Sequence, residues 1–241
     1  MALATSFLTV LPTPPADAGS PKLAGAAYAF PVVGALLGTL AAVVYATLTG
    51  AGLPGPLAAG CAIVALIGMT GGLHEDGLAD SADAMGAGGD RTRAFVIMRD
   101  SRLGSYGGLA LICSVGLRWA ALASLPLGLA PAALIAAPVA SRWLLVHLMR
   151  VPPARTDGLG HGAGMPDTRA TLIALLLAWA IVLLALPLGP AVAALVAAML
   201  AAGGVAWLAR RRLGGQTGDV LGAGCQVAET VFLLALAAAI S

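Results

Sequence analysis

Seven apolar runs that are almost free of charge make up most of this chain. Each run approaches the roughly 20 residues that a helix needs to cross the hydrocarbon layer of a membrane. Because backbone N–H and C=O groups cannot face lipid unpaired, runs of this kind must be helices. The predicted spans lie at about 23–49, 56–73, 105–125, 130–149, 170–186, 190–208 and 225–240. We therefore predict an all-α fold, a polytopic integral membrane bundle of about seven transmembrane helices.

Composition limits the other possibilities. Apolar residues make up 59% of the 241 residues and charged residues only 10%, whereas soluble domains carry about 25% charged residues. The mean hydropathy is +0.94. A single domain embedded in the lipid bilayer is therefore expected over residues 1–241. The net charge of +2 is too small to indicate nucleic-acid binding, and the sequence does not decide between a monomer and a homo-oligomer.

Basic residues occur in every second connection between the predicted spans. Lys22 precedes the first span, and arginines lie in the segments 74–104, 150–169 and 209–223. The turns at 50–55, 126–130 and 187–190 carry no charge. By the positive-inside rule, the N-terminus and the three arginine-bearing segments are predicted to be cytoplasmic and the C-terminus to lie outside.

One polar stretch, residues 71–108, gathers six of the 11 acidic residues. Its Asp76, Asp80 and Asp83 have i, i+4, i+7 spacing and so fall within roughly 60° of arc on one helical face. Carboxylates this close repel one another unless a cation or protons neutralise them, and Mg²⁺ takes oxygen ligands together with waters and substrate phosphates. We therefore expect a Mg²⁺ site here, with a solvated amphipathic face as the alternative. His74 is predicted either to orient groups or move protons, or to cap the helix.

The end of the same stretch has the composition of a phosphate-binding turn. Residues 100–107 are DSRLGSYG. Ser101, Gly104 and Ser105 offer hydroxyl and backbone N–H groups, and the guanidinium of Arg102 can bind two phosphate oxygens at once. Asp100 could complete a metal site. The alternative is an ordinary glycine- and serine-rich entry to a membrane helix.

Two arginines, Arg118 and Arg142, lie inside predicted spans. An ionisable residue within a membrane indicates function by default. Arg142 lies within about two turns of the cytoplasmic end of its span, so we predict that it reaches the substrate, with an ion pair inside the bundle as the alternative. Asp219 and Glu229 are predicted either to contact substrate or to pair with these arginines.

Several runs of sequence together match one known family. The run GGLHEDGLADSADAMG followed by RDSRLGSYG is similar to the signature of the cobalamin synthases, the adenosylcobinamide-GDP ribazoletransferases. FLTVLPTP, FPVVGALLG, SRW at 141–143, ARTDGLG, and GGQTGDVLGA followed by Glu229 also resemble that family. The resemblance covers nearly the whole chain in order, and Glu75 occupies a variable position of the signature.

The resemblance implies the final assembly of the nucleotide loop of vitamin B12, in which adenosylcobinamide-GDP is joined to α-ribazole, or to its 5′-phosphate, and GMP is released. It also implies Mg²⁺ as cofactor and a bacterial inner membrane location, with the active site on the cytoplasmic face. Under this interpretation the metal ligands are Asp76, Asp80, Asp83 and Asp100, the catalytic residues are His74, Asp80, Asp83 and Asp100, and the substrate-binding residues are Ser101, Arg102, Gly104, Ser105, Arg142 and Asp219.

Two other functions remain open at this point. A CDP-alcohol phosphotransferase also exchanges a nucleoside monophosphate for an alcohol in a membrane, but Asp76-Gly77 is followed here by Leu-Ala-Asp, without the arginine and the second half of that enzyme's usual pattern. A membrane transporter with an acidic relay would place its carboxylates near the midplane of broken helices, whereas these acids crowd a predicted cytoplasmic connection.

Overall fold

A computed structural model describes residues 1–13, 22–88 and 90–240. These residues form twelve α-helices and a 3₁₀ turn at Ala27–Ala29, with no strand beyond an isolated bridge between Pro153 and Gln216. The helices are α1 Ala2–Leu8, α2 Leu23–Ala26, α3 Phe30–Gly50, α4 Gly55–Thr70, α5 Leu73–Gly86, α6 Arg91–Met98, α7 Ser105–Ser124, α8 Ala130–Leu148, α9 Leu159–Gly162, α10 Thr168–Ala185, α11 Leu188–Leu213 and α12 Gly218–Ile240. The all-α prediction is confirmed.

The number of spans agrees with the sequence. Among the described residues, six helices are long and apolar enough to cross a membrane, namely Leu23–Gly50, α7, α8, α10, α11 and α12. The pair α4 and α5 passes the same test but is bent by 88°, and counting it as one span gives seven. We treat α4 as the half inside the membrane and α5, which carries four carboxyl side chains, as the half outside it.

Two glycines make the bend between α4 and α5. Gly71 has a φ of +63° and Gly72 a φ of +70°, in the left-handed region that residues with a Cβ rarely adopt. Gly71 ends α4 as its C-cap, and its N–H is bonded to the carbonyl oxygen of Gly68. The bend directs α5 across the end of the bundle instead of along the line of α4.

The last span begins earlier than the sequence indicates. The glycine-rich run at 214–224 predicts an irregular connection, yet α11 continues through Arg210–Arg212 to Leu213 and α12 starts at Gly218. The hydroxyl oxygen of Thr217 accepts a hydrogen bond from the N–H of Val220 at 3.2 Å, which satisfies one of the free donors of the first turn. Asp219 therefore lies on a helix, at the end of α12 that faces α5.

Glycines also bring the backbones of α5 and α12 together. A Cβ added at Gly77 would lie 2.8 Å from the carbonyl oxygen of Asp219, and one at Gly222 would lie 3.2 Å from the Cα of Gly77. Gly218 and Gly222 form a small-xxx-small pair, which allows membrane helices to approach closely. This crossing fixes Asp219 beside the acidic helix α5.

A buried network of ion pairs joins four helices. Arg118 of α7 donates hydrogen bonds of 3.1 Å to Glu75 of α5 and to Glu229 of α12. Glu229 also accepts from Arg142 of α8 and, at 3.0 Å, from the hydroxyl of Ser141. Both arginines are 2% exposed. Two positive and two negative charges balance, as charges removed from water require, so the alternative interpretation of Arg142 and Glu229, an ion pair inside the bundle, describes their contacts.

The N-terminal helix lies over the bend between α4 and α5. The rings of Phe7 and Phe30 are stacked with centroids 6.1 Å apart. The N–H of Val10 donates to the carbonyl oxygen of Met69 at 2.9 Å. The chain before the first span therefore packs on the bundle, and it supplies one wall of the cavities beside α5.

The buried network predicts the effect of removing Glu229. Glu229→Gln leaves Arg118 and Arg142 without a full countercharge in the core, so the free energy of unfolding is expected to fall by about 3–5 kcal/mol. Asp157→Asn is the control, because Asp157 pairs with Arg99 at a site where both side chains are more than half exposed, and such pairs contribute little. Thermal unfolding in detergent measures both changes, and equal melting temperatures for the two variants would contradict this role of Glu229.

The orientation of the chain in the membrane stays a prediction, and it is tested by cysteine labelling in a background without the native cysteines. Gly162→Cys is expected to react only from the cytoplasm, and Gly128→Cys and Gly189→Cys only from the opposite side. A Cβ at each of these three glycines meets no atom within 4 Å, so the substitutions leave the fold intact. Labelling of all three positions from the same side would exclude the predicted topology.

Candidate active site

The four acidic residues of α5 face different surroundings, although the sequence pattern predicts one shared helical face for three of them, Asp76, Asp80 and Asp83. Asp76 and Asp80 line a wide groove of about 870 Å³. Asp83 is turned towards the start of α7 and is buried. Glu75 is in the ion-pair network. The structure thus brings two of the three predicted face residues to one open cavity.

Asp83 binds the first turn of α7. Its two carboxylate oxygens accept hydrogen bonds of 2.8 Å from the N–H groups of Gly104 and Gly107. A Cβ on either glycine would collide with this carboxylate. A negative charge at a helix N-terminus is stabilising, so these contacts hold α5 and α7 together. The predicted metal and catalytic roles of Asp83 stay predictions.

Both signs of charge line the wide groove. Its walls come from α5, from the turn after α6, and from α1 and the chain following it. The lining consists of Phe7, Val10, Thr70, Gly71, Gly72, Leu73, Asp76, Ala79, Asp80, Met98, Arg99, Asp100, Ser101, Arg102, Leu103 and Leu111. The structure therefore places Asp76 and Asp80 in the same cavity as Asp100, Ser101 and Arg102, as the predicted site requires.

Asp100 and Arg102 form an ion pair on the rim of the groove. The Nη2 of Arg102 donates to Asp100 Oδ2 at 2.6 Å, and its Nε lies 3.0 Å from Oδ1. Side-chain hydrogen bonds from Arg102 lower the pKa of Asp100 to about 2. A guanidinium has five N–H donors, so Arg102 keeps donors that can bind phosphate oxygens while Asp100 holds it in place.

Four carboxylates lie close together here, those of Asp76, Asp80 and Asp83 on α5 and that of Asp219 on α12. Burial, together with the smaller effects of the charges of Asp76, Asp219 and Asp83, raises the pKa of Asp80 to about 6. A carboxyl group whose proton is held this firmly lies in a site that a cation would stabilise. Asp219, although 139 positions away from Asp80 in the chain, belongs to the same cluster because α12 crosses α5 at Gly77.

A second, narrower cavity of about 100 Å³ lies on the other side of Asp76. Its lining consists of Phe7, Leu23, Leu73, His74, Asp76, Gly77, Leu145, Met149, Ala163, Gly218, Asp219, Leu221 and Gly222. Phe7, Leu73 and Asp76 line both cavities, and they form the boundary between them. His74 and Asp219, two predicted site residues, therefore belong to the narrow cavity and not to the wide groove.

The remaining predicted residues lie apart from Asp76 and Asp80. Gly104 and Ser105 line a shallow cavity of about 460 Å³ that also contacts Asp83, Asp100 and Arg102. Arg142 lines none of these three cavities, since its side chain is paired with Glu229. Its predicted contact with substrate stays a prediction.

Sequence reasoning missed the contribution of Glu75. The residue occupies a variable position of the family signature, so nothing singled it out, yet it accepts hydrogen bonds from Arg118 at 3.1 Å and from Gln226 at 2.9 Å. The available signal was charge balance, because two intramembrane arginines require two acids and Glu229 supplies only one.

The chemistry of the donor set fits a magnesium ion that is completed by a substrate. Among the residues that the structure describes, no three histidine, cysteine or acidic side chains are grouped closely enough to hold a metal by themselves. Mg²⁺ commonly binds through one or two carboxylates together with waters and substrate phosphates. Asp76 and Asp80, which line the same groove, provide such a pair.

Comparisons with known proteins agree with the resemblance in the signature. A family model described as cobalamin-5-phosphate synthase matches residues 1–237. A protein named adenosylcobinamide-GDP ribazoletransferase from Bradyrhizobium diazoefficiens is 46% identical to this chain, over 98% of this chain and 92% of the relative. One of the same name from Mesorhizobium japonicum is 44% identical, over 100% of this chain and 93% of the relative. One from Rhizobium etli is 42% identical, over 99% of this chain and 96% of the relative.

No solved structure matches this chain significantly, so the family assignment depends on sequence. The family model covers almost every residue, and the relatives align along nearly their full lengths. The two halves of the signature, on α5 and on the turn before α7, line the same groove. The chain belongs to the cobalamin-5-phosphate synthase family.

Proposed function

We propose that this protein joins adenosylcobinamide-GDP to α-ribazole, or to its 5′-phosphate, and releases GMP. The observation that carries the proposal is the wide groove, in which Asp76 and Asp80 share one cavity with Ser101 and Arg102. The name shared by the relatives, adenosylcobinamide-GDP ribazoletransferase, supports the choice of substrates. The protein would act in the bacterial inner membrane, with the groove on the cytoplasmic side.

The reaction is a displacement at phosphorus. A ribose hydroxyl of α-ribazole attacks the phosphorus next to cobinamide, the bond from that phosphorus to the bridging oxygen breaks, and GMP leaves with that oxygen. The proton of the attacking hydroxyl passes to a groove carboxylate. Little covalent chemistry falls on the protein, which must align the reacting groups and neutralise charge on the pyrophosphate.

Residues on both walls of the groove would align the reacting groups and neutralise the charge of the pyrophosphate. Asp76 and Asp80 would hold Mg²⁺, with Asp100 as a further ligand from the opposite wall. When bound, the ion supplies positive charge to the pyrophosphate oxygens. Arg102, held by Asp100, donates hydrogen bonds to the phosphate, and Ser101 adds a hydroxyl donor. Asp83 keeps the start of α7 against α5, so that the two walls stay at a fixed separation.

The arrangement of acids argues against the transporter alternative. The acids that face the interior of the bundle, Glu75 and Glu229, are paired with arginines and are not free to relay ions. The unpaired carboxylates of Asp76 and Asp80 line a groove at the end of the bundle. The family match likewise separates the chain from the CDP-alcohol phosphotransferases, whose full motif it lacks.

The proposed reaction is tested directly with purified protein in detergent or nanodiscs. The protein is incubated with adenosylcobinamide-GDP, α-ribazole and Mg²⁺, and the cobalamin and GMP formed are quantified. Equal amounts of the two products are expected. Hydrolysis of adenosylcobinamide-GDP without cobalamin formation, or no consumption of it, would reject the proposal.

Removing either groove carboxylate is expected to weaken the response to magnesium. Asp76→Asn and Asp80→Asn each lose a charged ligand, so turnover should fall steeply and be partly restored by more Mg²⁺. The measurement is the Mg²⁺ dependence of the initial rate.

Asp167→Asn is the matched control for these two variants. Asp167 caps α10 by accepting a hydrogen bond from the N–H of Ala170 at 2.7 Å, and asparagine caps helices equally well. It lies outside the wide groove, so this variant should keep the normal Mg²⁺ dependence. A normal dependence in Asp76→Asn or Asp80→Asn would remove that residue from the metal site.

Arg102 is expected to act through the shape of its guanidinium and not only through its charge. Arg102→Lys keeps the charge but loses the planar fork that binds two oxygens. Because a charge-assisted hydrogen bond contributes roughly 1.5–3 kcal/mol, turnover should fall by about ten- to a hundredfold. Arg211→Lys is the control, since Arg211 lies at the end of α11 against the ring of Trp207, and equal rates for the two variants would contradict the phosphate contact.

A further inference from the structure

His74 is buried without a hydrogen-bond partner. The side chain is 2% exposed, and neither ring nitrogen is bonded to any atom that the structure describes. A buried polar group left without a partner costs free energy, and most such groups in proteins are satisfied. His74 lines the narrow cavity, so a ligand in that cavity is in reach of the free imidazole.

The walls of the narrow cavity are mainly apolar. Phe7, Leu23, Leu145, Met149 and Leu221 line it, and its charged side chains are Asp76 and Asp219. Gly77, Gly218 and Gly222, at the crossing of α5 and α12, also line the cavity and add no side chains to it. Sites for small organic molecules have this composition, with predominantly apolar walls and a few placed polar groups.

The position of the cavity relates it to the proposed reaction. Asp76 belongs to the linings of both cavities. A ligand whose apolar part lies in the narrow cavity is therefore next to Asp76, a carboxylate that also lines the wide groove, where the pyrophosphate of the other substrate is expected. An acceptor nucleoside needs this geometry, with its base held on one side and its ribose hydroxyl presented to phosphorus on the other.

From these observations we infer that the narrow cavity binds the flat heteroaromatic base of α-ribazole, with an N–H of His74 donating a hydrogen bond to the free ring nitrogen. The base is a benzimidazole with two methyl groups, so it is apolar apart from that one acceptor. The inference rests on the proposed function for the identity of the ligand, and it assigns His74 to recognition of the acceptor instead of proton transfer.

The guanine of the other substrate fits the cavity less well. Guanine carries several donors and acceptors along its edges. The polar side chains of the cavity, His74, Asp76 and Asp219, are too few to pair with all of them, and each group left unpaired against an apolar wall costs free energy. A dimethylated benzimidazole leaves none unpaired once His74 donates. Apolar walls therefore favour the acceptor base over the nucleobase of the leaving group.

The cavity must widen to admit the base. A cavity of about 150 Å³ holds a benzene ring, whereas this one measures about 100 Å³. We expect the methylated edge to enter first, with the ribose left at the mouth beside Asp76. Met149, whose unbranched thioether side chain adapts readily to irregular spaces, lines the cavity and would move to admit the ring.

Binding measurements test the inference without depending on turnover. Calorimetry with α-ribazole alone, without Mg²⁺ or the corrinoid, compares the wild type with His74→Phe, which keeps a ring but cannot donate. The affinity of His74→Phe for α-ribazole should be roughly 2- to 10-fold lower than that of the wild type, which corresponds to the loss of one hydrogen bond.

A second variant, Ala163→Leu, fills the cavity and should abolish measurable binding of α-ribazole. Both variants should keep the wild-type affinity for GDP with Mg²⁺, which also reports that the wide groove is intact.

His147→Phe serves as the matched control, since His147 lies on the last turn of α8 against Trp143 and does not line the cavity. It should bind α-ribazole as the wild type does. Unchanged α-ribazole binding in both His74→Phe and Ala163→Leu would overturn the inference. So would loss of GDP binding instead, since that result assigns the cavity to guanine.

Kinetics separate recognition of the base from a catalytic role of His74. For His74→Phe, the KM for α-ribazole should rise while kcat and the KM for adenosylcobinamide-GDP stay close to the wild-type values. A lower kcat with an unchanged KM for α-ribazole would overturn the inference in favour of proton transfer. If the wild type binds α-ribazole but forms no cobalamin, the proposed function fails while the binding site stands.

Discussion

The buried ion pairs centred on Arg118 determine where the active-site helix lies. Arg118 lies on a membrane-spanning helix, and a charge there is tolerated only with partners at hydrogen-bond distance. Its partners are Glu75 on α5 and Glu229 on α12. Because Glu75 precedes Asp76 directly in the chain, any arrangement that satisfies Arg118 also sets the position of the first groove carboxylate. The core of the bundle and the chemistry at its end are therefore coupled through adjacent residues.

Three glycines place the acids of α5 at the open end of the bundle. The left-handed conformations of Gly71 and Gly72 turn α5 by 88° from α4, so its acids leave the lipid without leaving the bundle. Gly77 then lets α12 approach closely enough to bring Asp219 to the cluster. Asp83, further along α5, binds the start of α7. One short helix is thereby fixed at three points along its length.

Sequence periodicity and hydropathy predicted the spans and the acidic stretch, because both depend on local composition. They could not predict which acids share a cavity. Asp83 lies on the same helical face as Asp76 and Asp80, but the nearby backbone donors of Gly104 and Gly107 engage it, and only tertiary packing brings those donors there. Arg142 was open to two interpretations for the same reason, since its partner Glu229 lies 87 positions away in the chain. Local sequence patterns identify the charged residues of the site, but only the packing of the helices shows which residues they contact.

Under the proposed function, the charges of the groove would couple the binding of Mg²⁺ and of the pyrophosphate. Among the described residues of its lining, the acidic side chains are Asp76, Asp80 and Asp100 and the basic ones are Arg99 and Arg102, and Arg99 is itself paired with Asp157. A pyrophosphate entering this groove alone would meet net negative charge, whereas a cation alone would find the carboxylates of Asp76, Asp80 and Asp100 and no full set of ligands. Each would therefore bind more favourably once the other is present, since the phosphate oxygens would complete the shell of the cation and the cation would cancel the repulsion. Under the proposed function, coupling of this kind would delay assembly of the reactive site until both have arrived.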